Sequence, residues 1–534
     1  MLNLHHNFEQ WTHSKKSVCS ELGVVAAQNW MAAAVGGKIL DDGGNAIDAA
    51  ISCAFALSVL EPWMSGMGGS GFIVIWDAKK KQAKVIDFQG VLPRLIKSSD
   101  YILDSSEPDS IMGFPGVRDR VNIIGYKSIT VPGAVAGLYA AQKAFGKMKF
   151  DTALLPVIEL AERGLPIDWF TNLQISLEAA DLSKFLSSKS TYLPSGFPPQ
   201  PEQFLPLKNL SKTIRNLCEL GPEDFYTGKT AEMIAMDLKS GGSRITLEDL
   251  ASYSPIIRDP LFFSYRGTQL CTAGSTSGGA RLIEALEYID NNLDLTKPFG
   301  PSTYSIYAKA LNKAFRTHKG KMGKIDYSGC TSHISTVDSE GNMVALTLTL
   351  LNRFGSKVVL PSTGIIMNNA VSYFDPRQGF PTSMEAGKRI NSSNMCPTIC
   401  IKDNQALFSV GASGANQIVP CVVQLIAFML DFNLSLEEAF DLPRIDADDG
   451  EKICVDPKVG VETLKRLESE FLLQIAQNLI FPKLYGCPIG VYRDLRSNQN
   501  IGCTDRSNPV AGAFAEGPFS VSGQVENRKN QVRA

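Results

Sequence analysis

The stretch from residue 331 to residue 351 constrains the fold of this chain more than any other segment. It contains TSHISTVD and then MVALTLTLL, two runs rich in β-branched residues, the second of which alternates apolar side chains with threonine. Between them lies Glu340-Gly341-Asn342, a turn sequence. Two such runs joined by a short glycine-containing turn predict a β-hairpin.

Other segments surround this hairpin in an order that indicates the fold class. Strands are predicted at 72–76, 82–88, 261–272, 406–411 and in the runs KVVLP and TGIIMNN. Helices are predicted at 133–146, 150–163 and 221–253, and a further helix follows a Gly and Ala turn after residue 411 and ends at Asp431. Residues 21–60 predict a short strand followed by a long apolar helix, and residues 183–210 an exposed loop region. Helix-rich ends around a strand-rich middle favour an α/β layered fold, with sheet covered by helices.

Composition and charge exclude several classes of protein. The 534 residues carry 52 Lys plus Arg against 54 Asp plus Glu, a net charge of −2, which argues against a basic nucleic-acid-binding face. The most apolar run, Ala46–Leu60, is shorter than the roughly 20 residues of a membrane-spanning helix and contains Asp48. The N-terminal segment lacks the apolar region of a secretory signal, so we expect a cytoplasmic protein as the sequence stands.

The number and spacing of cysteines and histidines limit the kinds of site that the chain can form. Eleven scattered cysteines without a C-x-x-C pair fit reduced thiols better than a disulfide framework. Of five histidines, three lie in the polar N-terminal segment, which leaves His318 and His333 for imidazole chemistry. No cluster has zinc-ligand spacing, so we predict no metal site and disfavour a His-dependent hydrolase.

The segment Gly329-Cys330-Thr331-Ser332-His333 places three nucleophilic side chains in a row. From composition alone, a polar edge strand is the simpler interpretation. The alternative is an N-terminal nucleophile: if the chain is cut before Thr331, its new α-amine can act as general base for its own hydroxyl, and no histidine is needed. Cys330 is a competing nucleophile.

Three segments rich in glycine and other small residues are candidate ligand sites. Residues 66–71 match G-x-G-x-x-G, but a helix precedes them and a strand follows, the reverse of the dinucleotide-binding order, so we predict a close-packed turn. Residues 275–279 form a small-residue turn that is either a plain loop or an anion cradle. Residues 411–415 lack G-x-S-x-G spacing but can supply oxyanion-hole amides before a helix.

An ordered set of motifs across the chain resembles the γ-glutamyltransferase (γ-glutamyltranspeptidase) family. The matching pieces include GGNAIDAAIS, EPWMSGMGGSGF, SITVPGAVAG, TSHISTVDSEGNMVALTLTL, GIIMNN, NMCPTI and VGASGANQI. Each piece alone is weak, whereas the ordered set is specific and extends from about residue 23 to about residue 515. The resemblance implies a four-layer αββα sandwich of the N-terminal nucleophile hydrolase type, made as a precursor that cuts itself.

The resemblance also implies roles for individual residues. The cut falls at Cys330-Thr331, giving a large subunit, residues 1–330, and a small subunit, residues 331–534, intertwined in one fold. Thr331 is then the nucleophile and Thr349 the second threonine that supports its amine. The family's oxyanion-hole glycine pair falls on Gly414-Ala415, where alanine keeps the backbone N–H.

The substrate clamp of the family is altered in this chain. The arginine that holds the substrate α-carboxylate is replaced by glutamine, and no carboxylate follows the Asn-Asn motif where the α-amine is held. The family's asparagine after the second threonine is expected at position 351, but the asparagine here is residue 352. The serine pair, residues 392 and 393, is followed by one extra residue. The segment from residue 315 to residue 330, before the expected nucleophile, is shorter than usual for the family. The corresponding candidate substrate-binding residues are Gln89, Asn352, Tyr373, Ser392 and Ser393.

These observations lead to a hypothesis with two alternatives. We expect a self-processing enzyme that cleaves a γ-glutamyl amide, of the glutathione type, through a threonine acyl-enzyme and transfers the acyl group to water or to an amino acid or peptide amine, without a cofactor. One alternative is an amidase acting on glutaryl-type or poly-glutamyl amides. The other is an uncleaved, non-catalytic binding protein. Family analogy also makes a secreted or periplasmic location possible.

Overall fold

Two seven-stranded antiparallel sheets pack face to face, and helices cover the outer face of each sheet. The computed structural model describes residues 14–110, 112–322, 329–447 and 452–517. The layers follow the order helix, sheet, sheet, helix, and this confirms the predicted four-layer αββα sandwich. No helix in the described ranges is long and apolar enough to cross a membrane.

The strands in chain order are β1 (Val18–Ser20), β2 (Val24–Ala27), β3 (Ser70–Asp77), β4 (Gln82–Asp87), β5 (Leu165–Ile167), β6 (Gln203–Leu205), β7 (Ile256–Arg258), β8 (Leu261–Tyr265), β9 (Thr268–Thr272), β10 (Gly329–Val337), β11 (Met343–Asn352), β12 (Thr398–Lys402), β13 (Gln405–Ser413), β14 (Ile445–Ala447), β15 (Lys452–Val455), β16 (Leu472–Ile475), β17 (Cys487–Asp494), β18 (Gln499–Thr504) and β19 (Gly512–Ala515).

The α-helices are α1 (Trp30–Asp41), α2 (Ala46–Leu60), α3 (Ala134–Phe145), α4 (Phe150–Arg163), α5 (Trp169–Leu182), α6 (Leu186–Tyr192), α7 (Lys208–Leu220), α8 (Asp224–Thr227), α9 (Lys229–Ser240), α10 (Leu247–Ala251), α11 (Gly279–Asn292), α12 (Pro301–Met322), α13 (Ile418–Asp431), α14 (Leu436–Asp441) and α15 (Val461–Glu468).

The predicted hairpin forms the centre of one sheet, whose strand order is β19-β2-β10-β11-β3-β4-β7. The other sheet has the order β1-β18-β17-β13-β12-β9-β8. Because β10 pairs with β2 on one side and β11 on the other, chain from both sides of residue 331 builds the same sheet. The segments before and after the predicted cut are therefore interleaved.

Helix α2 explains why the hairpin is so deeply placed. All 15 of its residues are buried, and it packs against α1 on one side and β10 and β11 on the other. Its N-terminus is fixed by a capping box between Asn45 and Asp48, which satisfies the first free N–H groups of the helix. A helix that is apolar all round belongs inside a protein, so the sheet is covered here on its outer face.

Two predicted regions differ from the structure. Residues 183–210, predicted as an exposed loop, contain helix α6 and strand β6, so that prediction is wrong in part. The runs KVVLP and TGIIMNN, predicted as strands, make isolated bridges, Val359 with Ile366 and Gly68 with Met367. The two runs bond to each other through single contacts, for example from the Met367 amide to the Val358 carbonyl. A β-branched run cannot reveal such local pairing.

Candidate active site

A β-bulge on strand β11 lies opposite Thr331. Cys330 pairs with Leu351 and Ser332 pairs with Leu348, so the single residue Thr331 on β10 faces two residues of β11. Bulges turn a side chain away from the regular alternation of a strand. The register shift thus gives Thr331 surroundings that the plain hairpin pattern does not specify.

The hydroxyl groups of Thr331 and Thr349 form a small network around the peptide bond before Thr331. Thr331 Oγ1 lies 3.4 Å from Thr349 Oγ1 and donates to it. The Thr349 hydroxyl donates to the Cys330 carbonyl oxygen and accepts the Leu351 backbone N–H at 2.8 Å. The carbonyl of the Cys330–Thr331 bond is thereby polarised next to the buried Thr331 hydroxyl.

A small cavity of about 20 Å³, the Thr331 cavity, lies on one side of this bond. Its lining consists of Met112, Thr331, Leu351, Tyr373, Asn394, Met395, Ala415 and Ile418. The lining is mostly apolar and close-packed.

A larger cavity of about 270 Å³, the Cys330 cavity, lies next to the preceding residue. Cys330 and Gly414 are part of its wall, together with apolar residues that include Trp63, Phe170 and Phe481. The two residues of the Cys330–Thr331 bond therefore line two cavities of very different size.

The predicted oxyanion-hole pair, Gly414 and Ala415, contributes one residue to the wall of each cavity. Ala415 lines the Thr331 cavity and Gly414 lines the Cys330 cavity. Both have positive φ, +121° at Gly414 and +50° at Ala415, at the start of a 3-10 turn that leads into α13. Such a turn directs successive backbone N–H groups away from the strand, which is the arrangement that an oxyanion hole uses.

One of the five candidate substrate-binding residues, Tyr373, lines the Thr331 cavity. Ser393 is buried and interacts with the Tyr373 hydroxyl, but it is not part of the lining. Burial raises the pKa of Tyr373 to about 12, so its phenol is neutral near pH 7. Ser392 is only partly buried and is not part of the lining.

The structure does not bring Asn352 to the cavity. Its side-chain oxygen accepts the Asn369 amide at 2.9 Å, and its backbone N–H donates to Asn369 at 3.0 Å. Leu351, the preceding residue, lines the cavity instead. The reciprocal pair fixes the end of β11 and leaves Asn352 no role in the lining.

Gln89 is fully buried, and it also lies outside the cavity lining. Its side-chain oxygen accepts the Ser70 hydroxyl at 3.4 Å, while its side-chain nitrogen has no hydrogen-bond partner among the described residues. Its carbonyl accepts Arg389 Nη1 at 2.8 Å and the Tyr253 hydroxyl at 3.0 Å. A guanidinium therefore contacts the backbone of this position, but Arg389 is not part of the cavity lining.

A buried arginine near the Thr331 cavity was not found by sequence reasoning. Arg281, 3% exposed, hydrogen-bonds to Asn394, and Asn394 donates to Asn416 at 2.8 Å. Burial lowers the pKa of Arg281 to about 10, and among the described residues no carboxylate pairs with it. The guanidinium is thus a positive charge one side chain from the cavity. The only available signal was its place just after the small-residue turn at 275–279.

That small-residue turn has a packing role. The Gly278 amide donates to the Met395 carbonyl at 2.9 Å, and a Cβ on Gly278 would lie 2.6 Å from the Asn394 carbonyl oxygen. The turn therefore presses against the backbone of two residues that line the Thr331 cavity.

Glu61 is a second buried charge-bearing group that sequence reasoning missed. It lines the Cys330 cavity and accepts the Ser332 hydroxyl at 3.1 Å, which in turn accepts the Ser65 hydroxyl at 2.9 Å. Burial raises the pKa of Glu61 to about 8, so its carboxyl is mostly protonated at neutral pH.

Cys330, the competing nucleophile, and His333 are both buried. Burial raises the pKa of the Cys330 thiol, which disfavours the reactive thiolate. His333 is fully buried between Thr347, at 2.7 Å, and Ser335, at 3.1 Å, and burial lowers its pKa to about 3. It is a neutral packing residue; His318 lies among residues whose side chains are outside the described set. In the described ranges, no group of three His, Cys, Asp or Glu residues could hold a metal ion.

The glycines at 66–71 form a close-packed turn with a helix before it and a strand after it. A Cβ on Gly69 would lie 2.4 Å from the Thr349 carbonyl oxygen, and one on Gly71 would lie 2.2 Å from that of Thr347. These glycines let β3 approach β11 closely. The turn thus supports the strand that carries Thr349, as the order of elements predicted.

Comparison with known proteins identifies the family to which this chain is similar. The family model described as gamma-glutamyltranspeptidase matches residues 32–330 and 305–478. The acylase ACY 1 proenzyme of Pseudomonas sp. (strain SE83) is 30% identical over 480 residues, covering 82% of this chain and 85% of that protein. The glutathione hydrolase proenzyme of Escherichia coli (strain K12) is 29% identical over 509 residues, covering 85% and 86%.

The fold has a solved counterpart. The crystal structure of cephalosporin acylase from Bacillus halodurans superposes with a TM-score of 0.85, at 23% identity, over 96% of this chain and 98% of that one. The match over most of the chain, the relatives of similar length and the αββα sandwich lead to one conclusion: the chain belongs to the γ-glutamyltranspeptidase family of enzymes.

Proposed function

We propose that this chain is a proenzyme that cuts its own Cys330–Thr331 bond and then hydrolyses or transfers the acyl group of an amide through Thr331. The observation that carries the proposal is the hydroxyl network: Thr331 donates to Thr349, and Thr349 donates to the Cys330 carbonyl. A buried hydroxyl beside a polarised carbonyl is the arrangement needed for attack on that carbonyl.

Maturation follows from this arrangement. Thr331 Oγ bonds to the Cys330 carbonyl carbon, the C–N bond breaks, and the hydroxyl proton passes to the nitrogen that becomes the α-amine. Water then hydrolyses the ester, which leaves a Cys330 carboxylate and a free Thr331 hydroxyl. In turnover the α-amine takes the hydroxyl proton while Thr331 Oγ attacks the substrate carbonyl, and the Gly414 and Ala415 amides stabilise the oxyanion.

We propose an acidic acyl group for the substrate. Arg281 places an unpaired positive charge behind Asn394, a residue of the Thr331 cavity. A γ-glutamyl group, the leading candidate, and a glutaryl group both carry a carboxylate that this charge attracts. Among the described residues that line the cavity there is no carboxylate to pair with an α-ammonium group, and this favours the glutaryl alternative. The names of the relatives, glutathione hydrolase and acylase, are compatible with both.

Denaturing mass spectrometry of the purified protein tests the first part. We expect two chains, the smaller of which begins at Thr331. Thr331→Ala should stay uncut and inactive, whereas Cys330→Ala, the matched control at the other side of the bond, should still be cut. Normal cutting of Thr331→Ala would overturn the assignment, and an uncut wild-type chain would favour the binding-protein alternative.

Relative kcat/KM on γ-glutamyl and glutaryl anilides tests the second part. Both compounds have the same leaving amine, so the ratio of their kcat/KM values reports the acyl side alone. A preference for the γ-glutamyl compound supports the glutathione-type donor, and the opposite preference supports the acylase alternative. Equal turnover of a neutral butyryl anilide would contradict the role given to Arg281.

A further inference from the structure

The Cys330 cavity has properties that the proposed reaction does not by itself explain. Its volume of about 270 Å³ exceeds that of the Thr331 cavity more than tenfold. Engineered apolar cavities of about 150 Å³ already hold benzene. A cavity of this size next to the reacting bond has room for a ring-bearing group.

The chemistry of the reaction determines which half of the substrate lies there. After Thr331 Oγ bonds to the acyl carbon, the α-amine of Thr331 must give its extra proton to the departing nitrogen, or the C–N bond does not break. The departing nitrogen must therefore be next to the Thr331 nitrogen. That nitrogen is now joined to Cys330, which lies in the wall of the larger cavity. The amine half of the substrate consequently faces this cavity.

The lining of the cavity indicates what kind of amine fits. Trp63, Met64, Phe170, Ile480, Phe481 and Leu484 supply apolar surface. The two cations in the wall are already paired, Arg353 with Glu178 at 3.2 Å and Lys483 with Asp505 at 2.8 Å. Neither cation is left to attract a charged amine component.

One polar group in the wall is left without a partner. Gln417 is 2% exposed and lines the cavity next to Gly414, and its side-chain nitrogen has no hydrogen-bond partner among the described residues. A buried N–H donor without an acceptor is costly, so it marks a position where a ligand acceptor is favoured.

We propose that the Cys330 cavity is the amine-side subsite and selects an apolar, ring-bearing amine with a hydrogen-bond acceptor for Gln417. This inference rests on the proposed function, since it assumes attack by Thr331. A small polar amine fills little of the cavity and leaves most of its apolar wall without contacts. The subsite therefore disfavours a leaving group as small and polar as that of glutathione, and it holds acceptor amines by the same contacts.

Three amides of one acyl group test the proposal. The acyl group is γ-glutamyl or glutaryl, whichever the mature protein cleaves faster, and the amines are phenylalaninamide, alaninamide and phenethylamine. The first two differ in the ring, and the first and third differ in the carbonyl acceptor. We expect phenylalaninamide to have a kcat/KM about 10-fold or more above alaninamide and also above phenethylamine.

Two variants assign these differences to the cavity. Phe481→Ala, at a wall residue that is 40% exposed, should lower the preference for phenylalaninamide over alaninamide, whereas Phe197→Ala, 75% exposed and outside the cavity, should not. Gln417→Met should remove the preference for phenylalaninamide over phenethylamine. Thermal unfolding checks that each variant is folded.

The outcomes separate this inference from the proposed function. If the protein is cut and active but cleaves the alaninamide and phenylalaninamide compounds equally, the subsite assignment is wrong and the function stands. If no amide is cleaved by a protein cut at Thr331, both fail. If the preferences exist but neither variant changes them, another part of the molecule holds the amine and the inference is overturned.

Discussion

The hydroxyl oxygens of Thr331 and Thr349 lie 3.4 Å apart. Thr331 is on β10 and Thr349 is on the paired strand β11, and both lie at the register shift that follows Cys330. The bulge and the hydrogen bond from Thr349 to the Cys330 carbonyl act together. The first sets the position of Thr331, and the second polarises the peptide bond that Thr331 attacks in the proposed self-cleavage.

Thr349→Val should slow self-cleavage by about 100-fold or more, because loss of one donor to a developing oxyanion has effects of this size. Thr349→Ser, which keeps the hydroxyl, should stay within about 10-fold of the wild type. The measurement is the fraction of cut chain against time, by denaturing mass spectrometry.

The matched control for Thr349→Val is Thr347→Val on the same strand. It removes a buried hydrogen bond to His333 but does not touch Cys330. It should lower stability and leave the cleavage rate near that of the wild type. Equal slowing by both valine variants would mean that strand stability, and not the Thr349 donor, limits cleavage.

Glu61 should make stability depend on pH in a defined direction. Its pKa rises from an ordinary value near 4.5 in the unfolded chain to about 8 in the folded protein. The folded state therefore binds the proton more tightly, and this contribution is complete below pH 4.5 and is lost as pH rises towards 8. The loss is on the order of 4 kcal/mol by linkage.

Denaturant unfolding of wild type and Glu61→Gln from pH 5 to pH 9 measures this contribution. Relative to the glutamine variant, the wild type should lose stability steadily up to about pH 8 and then level off. Glu248→Gln, at an exposed side chain, should show no such trend. A pH-independent difference between wild type and Glu61→Gln would contradict the raised pKa.

Gly69→Ala should displace the backbone of Thr349, the residue that hydrogen-bonds to Thr331. The added Cβ would lie 2.4 Å from the Thr349 carbonyl oxygen, and backbone cannot move aside as a flexible side chain can. We expect a stability loss of about 1 to 3 kcal/mol and slower self-cleavage. Gly300→Ala, where the added Cβ meets nothing within 4 Å, should change neither the unfolding midpoint nor the cleavage rate.

Much of this architecture was predictable because it depends on local periodicity. The hairpin, the apolar helix α2 and the capped helix at Thr246 follow from alternation, length and capping residues. The turn at 66–71, with a helix before it and a strand after it, also follows from the sequence, since the order of helix and strand is visible there.

The remaining features depend on contacts between distant segments, which a single sequence does not encode locally. The bulge opposite Thr331 and the pairing of Asn352 with Asn369 are of this kind. So are the buried charges: Glu61 is 271 residues from Ser332, and Arg281 is 113 residues from Asn394. The predicted cut at Thr331, the subunit boundary and the cytoplasmic location stay predictions.

Arg281→Met should change acyl specificity while leaving the reacting groups in place. A charged hydrogen bond or close charge in a buried site contributes roughly 1.5 to 3 kcal/mol, so kcat/KM for a glutaryl or γ-glutamyl anilide should fall by about 10- to 100-fold. The neutral butyryl anilide, which has no carboxylate to lose, should be cleaved at nearly the wild-type rate. Arg215→Met, at an arginine paired on the surface with Glu162, is the control for loss of a positive charge. A parallel fall for acidic and neutral acyl groups, with an unchanged unfolding temperature, would show that Arg281 maintains the geometry around Asn394 and does not attract the acyl carboxylate.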